Sequence, residues 1–526
     1  MTRTTTTAAV RAALTAKREI ALLDVRDEDP FAKAHPLFAT SFPLGWLELQ
    51  VLDRLPRKDV FIVVYDNGEG LAERALRKLE ELGYSDASLL EGGLQGWIKA
   101  GGEIFIDVNV PSKAFGELVE SVRHTPSIPA PELRAKIDAG ENIAILDARR
   151  FEEYRTMSIP TGTSVPGGEL VYRVAELVPD PETLVVVNCA GRTRSIIGTQ
   201  SLINAGIPNK VVALRNGTIG WTIAGLTLDH GQERRFGTVA TDTKQNARAA
   251  ARRVAARAGV REISHADLAA WAADKSRTLY RFDVRDPAEY SAGHLPHFRA
   301  APGGQLVQET DVFAPVRGAR IVLADDDGAR ADMTASWLAQ MGWDVSVLVD
   351  ALKDQQLVTG AWAPTRPASP AIAPVSPAEL SERIKAGSVT VLEVGSAKEY
   401  ALGHVPGAWF APRAYLANAL AKVPAGGDIV FTSPDGYLAS WAATEYAALG
   451  RGAATVLAGG FAAWVKNGGA VEKGLTQIAG PLTDAYKRPY EGTDVTEAAM
   501  QAYLDWEFGL VDQLARDGTH GFKVSE

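Results

Sequence analysis

The chain has 526 residues, enough for about three to four domains at roughly 150 residues each. Its composition, 46% apolar and 23% charged, excludes a largely disordered protein. The net charge of −9 and the lack of a long apolar run argue against nucleic-acid binding and a membrane span, and the single cysteine, Cys189, excludes an intramolecular disulfide and a multi-thiolate metal cluster.

Residues 1–18 hold four basic residues and no acid, a composition shared with transit peptides. Their position in a repeat assigns them instead to a first helix. Four segments read alike: ALLDVRDEDPF at 21–31, AILDARRFEEY at 144–154, YRFDVRDPAEY at 280–290 and VLEVGSAKEY at 391–400. Each is a short apolar strand ending in an acid (Asp24, Asp147, Asp283 or Glu393), and three continue with Arg26, Arg149 or Arg285. A helical stretch precedes each, with Val10, Leu133, Leu268 or Leu380 as its apolar anchor. Repeats three and four then read GHLP at 293–296 and GHVPGA at 403–408, and His294 and His404 are expected to be structural turn residues.

A second apolar strand follows in every copy: VFIVVY (60–65), LVVVN (184–188), RIVLA (320–324) and DIVFT (428–432). A loop, a helical pattern and a third strand come next. Three copies close on a glycine turn and Trp97, Trp221 or Trp464, which are expected to pack helices on the sheet. Repeat three reads VDALKDQ instead. Strands that alternate with helices and lack hairpin turns predict α/β units with parallel sheets covered on both faces. Ligands in such units bind where strands pass into helices.

The connections differ in character. Residues 242–262, with six basic residues and two acids, predict a solvated connecting helix. Pro367, Pro370, Pro374 and Pro377 predict a stiff linker over 365–377. Residues 494–516 predict a helix capped by Asp494 that packs on a neighbouring domain.

The loops after the second strands set the repeats apart. Their first residues are Asp66, Cys189, Asp325 and Ser433. Repeat two reads Cys189-Ala190-Gly191-Arg192-Thr193-Arg194-Ser195, a cysteine followed by two arginines. Backbone N–H groups and a helix N-terminus at such a loop favour an anion, and with two guanidinium groups they favour a thiolate. Cys189 therefore suits nucleophilic attack on an anionic electrophile, the alternative being an inert buried thiol. Asp325-Asp326-Asp327-Gly328 lacks the later ligands of a calcium loop, and Asn67-Gly68-Glu69-Gly70 lacks the lysine of a phosphate loop.

As a set, the D-x-R strand ends, the E-Y…G-H-[LV]-P loop, C-A-G-R-T-R-S and the G-G…W ending resemble the rhodanese (sulfurtransferase) family, in the four-domain bacterial arrangement. The resemblance implies rhodanese-like domains at 1–108, 125–236, 242–363 and 372–475, the second catalytic and the others inactive, with a helical extension at 476–526. It implies that Cys189 takes the outer sulfur of thiosulfate as a persulfide and passes it to a thiol or cyanide. Ala190, Gly191, Arg192, Thr193, Arg194 and Ser195 would bind the substrate, with Arg194 closing the loop and Arg192 adding charge at its mouth. Asp147 would orient the site, Arg149 would assist substrate binding, and Arg215 is a further candidate. No cofactor is implied, and a reduced thiol fits a cytoplasmic setting. Two arginines favour a dianion such as thiosulfate over 3-mercaptopyruvate. A persulfide carrier serving a protein acceptor is the alternative. The four residues between Cys189 and Arg194 argue against a phosphatase, whose loop encloses five.

Overall fold

The computed structural model describes residues 3–424 and 426–525. It contains four five-stranded sheets, and each has its strands in the same spatial order, first, fifth, fourth, second, third. In repeat two these are Ser127–Ile128, Val211–Leu214, Leu184–Asn188, Ile143–Asp147 and Thr163–Ser164. All neighbours run parallel, as helical crossovers require. Val185, Val186 and Val187 of the central strand are fully buried because helices cover both faces.

The strand-end acids clamp the chain. Asp147 accepts the backbone N–H and Nε–H of Arg149 at 3.0 and 2.9 Å, and Arg149 Nη2 donates to the Met157 carbonyl at 2.6 Å. Asp24 and Arg26 hold the Ala34 carbonyl at 2.7 Å in the same way, and Asp283 and Arg285 hold that of Gly293 at 2.7 Å. In repeat four Glu393 has no such arginine and accepts only the Gly395 N–H at 2.8 Å among its short contacts, and burial pushes its carboxyl up to about 7.

The glycine ending brings a helix N-terminus against the slot residue. Gly217 has φ +53°, and a Cβ there would overlap the Cys189 carbonyl oxygen, which accepts the Thr218 N–H at 2.9 Å. Trp221 is buried and donates from Nε1 to the Thr227 carbonyl at 3.0 Å; Trp97 and Trp464 do the same to residues six further on. His294 and His404 stack on Tyr290 and Tyr400 at 3.7 Å, in the structural role expected of them.

Equivalent surfaces pair the repeats. Gly167-Gly168 of repeat two meets Gly303-Gly304 of repeat three so closely that a Cβ on Gly168 would lie 2.8 Å from Gly304 N. Repeat one meets repeat four at Gly45 and Ala414, where Arg413 Nη2 donates to both oxygens of Glu48 at 2.7 and 2.6 Å. A bridging helix, Val110–Arg123, joins repeats one and two.

Two connections differ from expectation. The basic segment forms the helix Thr241–Arg257, but it is a strut rather than a solvated connection: Ala247, Ala251 and Val254 are buried in the core of repeat two. Its charges find partners, with Arg252 on Asp332 at 2.7 Å and Arg257 on the Asn204 carbonyl at 2.8 Å. The tail forms two helices, Glu497–Phe508 and Leu510–Asp517. The first is capped by Thr496, which accepts the Ala499 N–H, whereas Asp494 pairs with Lys487 at 2.6 Å.

Candidate active site

The loop Cys189–Arg192 leaves the central strand Leu184–Asn188 and enters the helix Thr193–Ala205. Cys189 is 2% exposed. Its Sγ lies 3.5 Å from Ser195 Oγ, which donates to the Arg192 carbonyl at 2.7 Å. Burial pushes the thiol pKa up, while Arg194 and the hydroxyl and N–H of Ser195 pull it down. Burial and the neighbouring charge thus oppose each other at this thiol, and burial is the larger influence.

The Cys-less loops reveal what the loop is built to hold. Asp66 accepts the N–H groups of Gly68, Leu71 and Ala72 at 3.0, 2.6 and 3.1 Å. Asp325 accepts those of Gly328 and Ala331 at 2.8 and 2.8 Å, and Ser433 Oγ accepts that of Ala439 at 3.3 Å. The positions corresponding to the donors around Asp66 are Gly191, Arg194 and Ser195. Repeat one therefore places a carboxylate, and repeat three a buried carboxyl that burial and Asp327 push well above its usual range, in a cradle of N–H groups whose counterparts in repeat two follow Cys189.

The two loop arginines part company. Arg194 makes a bidentate pair with Glu153 at 2.8 and 2.9 Å, and its charge lowers the thiol pKa. Burial raises the Glu153 carboxyl, but Arg194 more than offsets this and holds it at about 2. Repeat three keeps the same pair in Arg330 and Glu289, so the pair by itself does not mark catalysis. Arg192 turns the other way. It binds Glu117 at 2.8 and 2.9 Å, pairs with Glu120 and lies over the Phe508 ring at 4.1 Å. Its charge is neutralised by the bridging helix and is not displayed at a mouth, contrary to expectation.

Arg149 is 1% exposed, and its Nε and Nη2 are held by Asp147 and the Met157 carbonyl, the clamp seen in two Cys-less repeats, which favours a structural role over the expected substrate contact. Asp147 also accepts from Asn188 Nδ2 at 3.0 Å. Arg215 donates to Ser127 Oγ at 3.2 Å and is occupied at the first strand of its sheet. The carbonyl of Ala190 accepts the Ile219 N–H at 2.9 Å, and Thr193 opens the helix against Gly116, whose Cβ would lie 2.8 Å from Thr193 Cγ2.

The tail supplies what sequence reading missed. Helix Glu497–Phe508 roofs the loop: a Cβ on Gly191 would lie 3.1 Å from Tyr503 Cε1 and 3.2 Å from Glu507 Oε2. Met500, Tyr503 and Leu504 pack with Ile219. Lys113 of the bridging helix pairs with Asp107 at 3.0 Å and faces the rings of Tyr490, Tyr503 and Trp506. The amphipathic tail was legible as a helix, but no local motif places a lone glutamate against the loop of repeat two. On the other side of Arg194, a cleft of 380 Å³ between repeats two and three is lined by Arg150, Phe151, Arg235 and Gly304.

The rhodanese-like domain family matches residues 6–100, 129–224, 264–354 and 376–467. This chain belongs to the rhodanese family. Over its full length it is 57% identical to a crystal structure of a thiosulfate sulfurtransferase from Pseudomonas aeruginosa, with TM-score 0.99 and 100% of both chains covered. It is 27% identical over 139 residues to a thiosulfate sulfurtransferase of Azotobacter vinelandii, covering 26% of this chain and 50% of that one. It is 32% identical over 105 residues to an HTH-type transcriptional regulator of Mycobacterium tuberculosis, covering 20% of this chain and 45% of the regulator. The rhodanese repeats thus span about half the length or less of these two curated relatives. No helix among the described residues is long and apolar enough to cross a membrane.

Proposed function

We propose that the chain is a thiosulfate sulfurtransferase of rhodanese type that carries sulfane sulfur as a persulfide on Cys189. The Cys189 thiolate attacks the outer sulfur of thiosulfate. The sulfur–sulfur bond of the donor breaks and its electron pair leaves on sulfite. The new persulfide anion lies among the N–H groups of Gly191, Arg194 and Ser195. A thiol or cyanide then takes the outer sulfur and restores the Cys189 thiolate.

The carrying observation is the occupancy of the equivalent cradle by Asp66, whose carboxylate accepts three loop N–H groups. It supports an anion beyond the first atom of the slot side chain, which a persulfide supplies and a thiol does not. The donor rests on likeness to the Pseudomonas aeruginosa enzyme, because the two-arginine argument against 3-mercaptopyruvate lapses once Arg192 is neutralised. The buried sulfur favours small acceptors; a protein acceptor requires the roof to lift. A cytoplasmic setting is part of this reading, since the cycle needs a reduced thiol.

Intact-mass measurement after thiosulfate treatment tests the proposal. The wild type should gain the mass of one sulfur atom and release sulfite, and Cys189→Ser should do neither. A wild type that gains no mass overturns it.

A further inference from the structure

Cys189 and its cradle account for holding a sulfur anion, but they provide no group to receive a proton. A thiol acceptor brings one, and only its thiolate is a competent nucleophile. The roof helix places a carboxyl where that proton must leave. Glu507 is 0% exposed. Its Oε1 accepts the Tyr503 hydroxyl at 2.7 Å. Its Oε2 is buried without a hydrogen-bond partner and faces Gly191, 3.2 Å from where a Cβ would stand. The Gly191 N–H is the counterpart of the Gly68 N–H that Asp66 accepts, so the unpartnered oxygen and the loop face each other across a glycine that leaves the gap open.

We propose that Glu507 is a further catalytic residue, the base that accepts the proton of a small thiol during sulfur transfer from Cys189. This rests on the persulfide reading above. The thiol proton passes to Glu507 Oε2. The thiolate electron pair forms a bond to the outer sulfur of the Cys189 persulfide, whose sulfur–sulfur bond breaks. That electron pair returns to Cys189 as thiolate, and the acceptor leaves as its own persulfide. The sulfane sulfur changes partner between two thiol sulfurs, so no outside oxidant or reductant is needed.

The surroundings suit this task. Burial, reinforced by Glu117, pushes the Glu507 carboxyl up to about 8, against the pull of Lys113, Tyr503 and Arg192. An ordinary thiol titrates near about 8.5, so donor and base are closely matched. Lys113 is paired with Asp107 and Arg192 with Glu117 and Glu120, and the thiol of Cys189, the phenol of Tyr490 and the guanidinium groups of Arg194 and Arg488 are further ionisable groups around the roof. The helix Gly217–Ile223 presents Ile219 to the roof, an apolar wall.

Single-turnover transfer from the preloaded enzyme tests the assignment. Wild type and Glu507→Gln are loaded with thiosulfate, desalted, and checked for bound sulfur by intact mass. Each is then mixed with 2-mercaptoethanol or with sulfite in mildly alkaline buffer, where sulfite is a dianion and brings no proton. The expected result is a thiol-arm rate lowered on the order of a hundredfold, with a far smaller fall in the sulfite arm. Tyr503→Phe removes a hydrogen bond to Glu507 and should shift the thiol-arm pH profile upward without shifting the sulfite arm, and it serves if Glu507→Gln does not fold. Equal slowing of both arms, or an unaffected thiol arm, overturns the proposal while leaving the persulfide intact. A wild type that never loads sulfur overturns the persulfide reading, and this proposal with it.

Discussion

Glu507 Oε2 sits 3.2 Å from the point where a side chain on Gly191 would begin. The roof and the cradle are therefore fitted to each other at a glycine. Gly191→Ala should press on Tyr503 and Glu507 and loosen the roof by about 1 kcal/mol. Hydrogen exchange should quicken in 497–517 while the sheet of repeat two stays protected.

Cys189→Asp should fold well. Asp66 already satisfies the same cradle with its carboxylate, and Gly191, Arg194 and Ser195 offer the equivalent donors. Its melting temperature should match or exceed that of Cys189→Ala, and it should load no sulfur.

The two loop arginines should separate in a thiol titration. Burial raises the Cys189 pKa and Arg194 is the leading charge that lowers it, so wild-type alkylation should accelerate as pH rises through the alkaline range. Arg194→Lys should move that profile further up, because the bidentate hold of Glu153 is lost and the remaining charge strays. Arg192→Lys should leave the profile in place and instead free the bridging helix from the roof.

Arg149→Ala should act as a fold mutation. It leaves Asp147 buried with its charge unpaired and should cost about 3 kcal/mol or more in chemical denaturation. Arg26→Ala should cost a similar amount, because the repeat-one clamp has the same geometry. A loss confined to the Arg149 variant would point back to a role in substrate binding.

Stability should decline as pH rises from the acid side toward pH 8. Glu507 stands at about 8, Asp311 at about 7 and Glu393 at about 7, all raised by burial. A carboxyl with a raised folded pKa contributes fully below its unfolded value, about 4.3, and loses that contribution as pH climbs through the folded value. Glu507→Gln should flatten the upper part of this decline in thermal melts taken between those limits.

Much of this molecule was legible because its signals are local and repeated. Four copies of one strand–acid–loop pattern betray four parallel sheets, and one cysteine among four slot residues sets a single loop apart. Arg149 shows where such reading stops. Its D-x-R motif was visible, but whether the guanidinium faces substrate or the Met157 carbonyl depends on a hydrogen bond that no motif encodes. The tail shows the other limit. Its helical spacing was plain, yet Asp494 looked like a cap although Thr496 is the one used.

The sequence by itself determined the repeat architecture, the parallel topology and which of the four slots holds a cysteine, because periodicity and slot identity are properties of neighbouring residues. Only the tertiary structure decided which arginine keeps its charge beside the thiol and what covers the loop. Arg192 is claimed by Glu117, 75 residues away in sequence, while Arg194 keeps its charge beside the thiol. The cover comes from Tyr503 and Glu507 in the tail, brought over Gly191 by apolar packing on Ile219. Charge partners and desolvation depend on what the fold brings close, and that distance is set by packing between repeats rather than by any spacing along the chain.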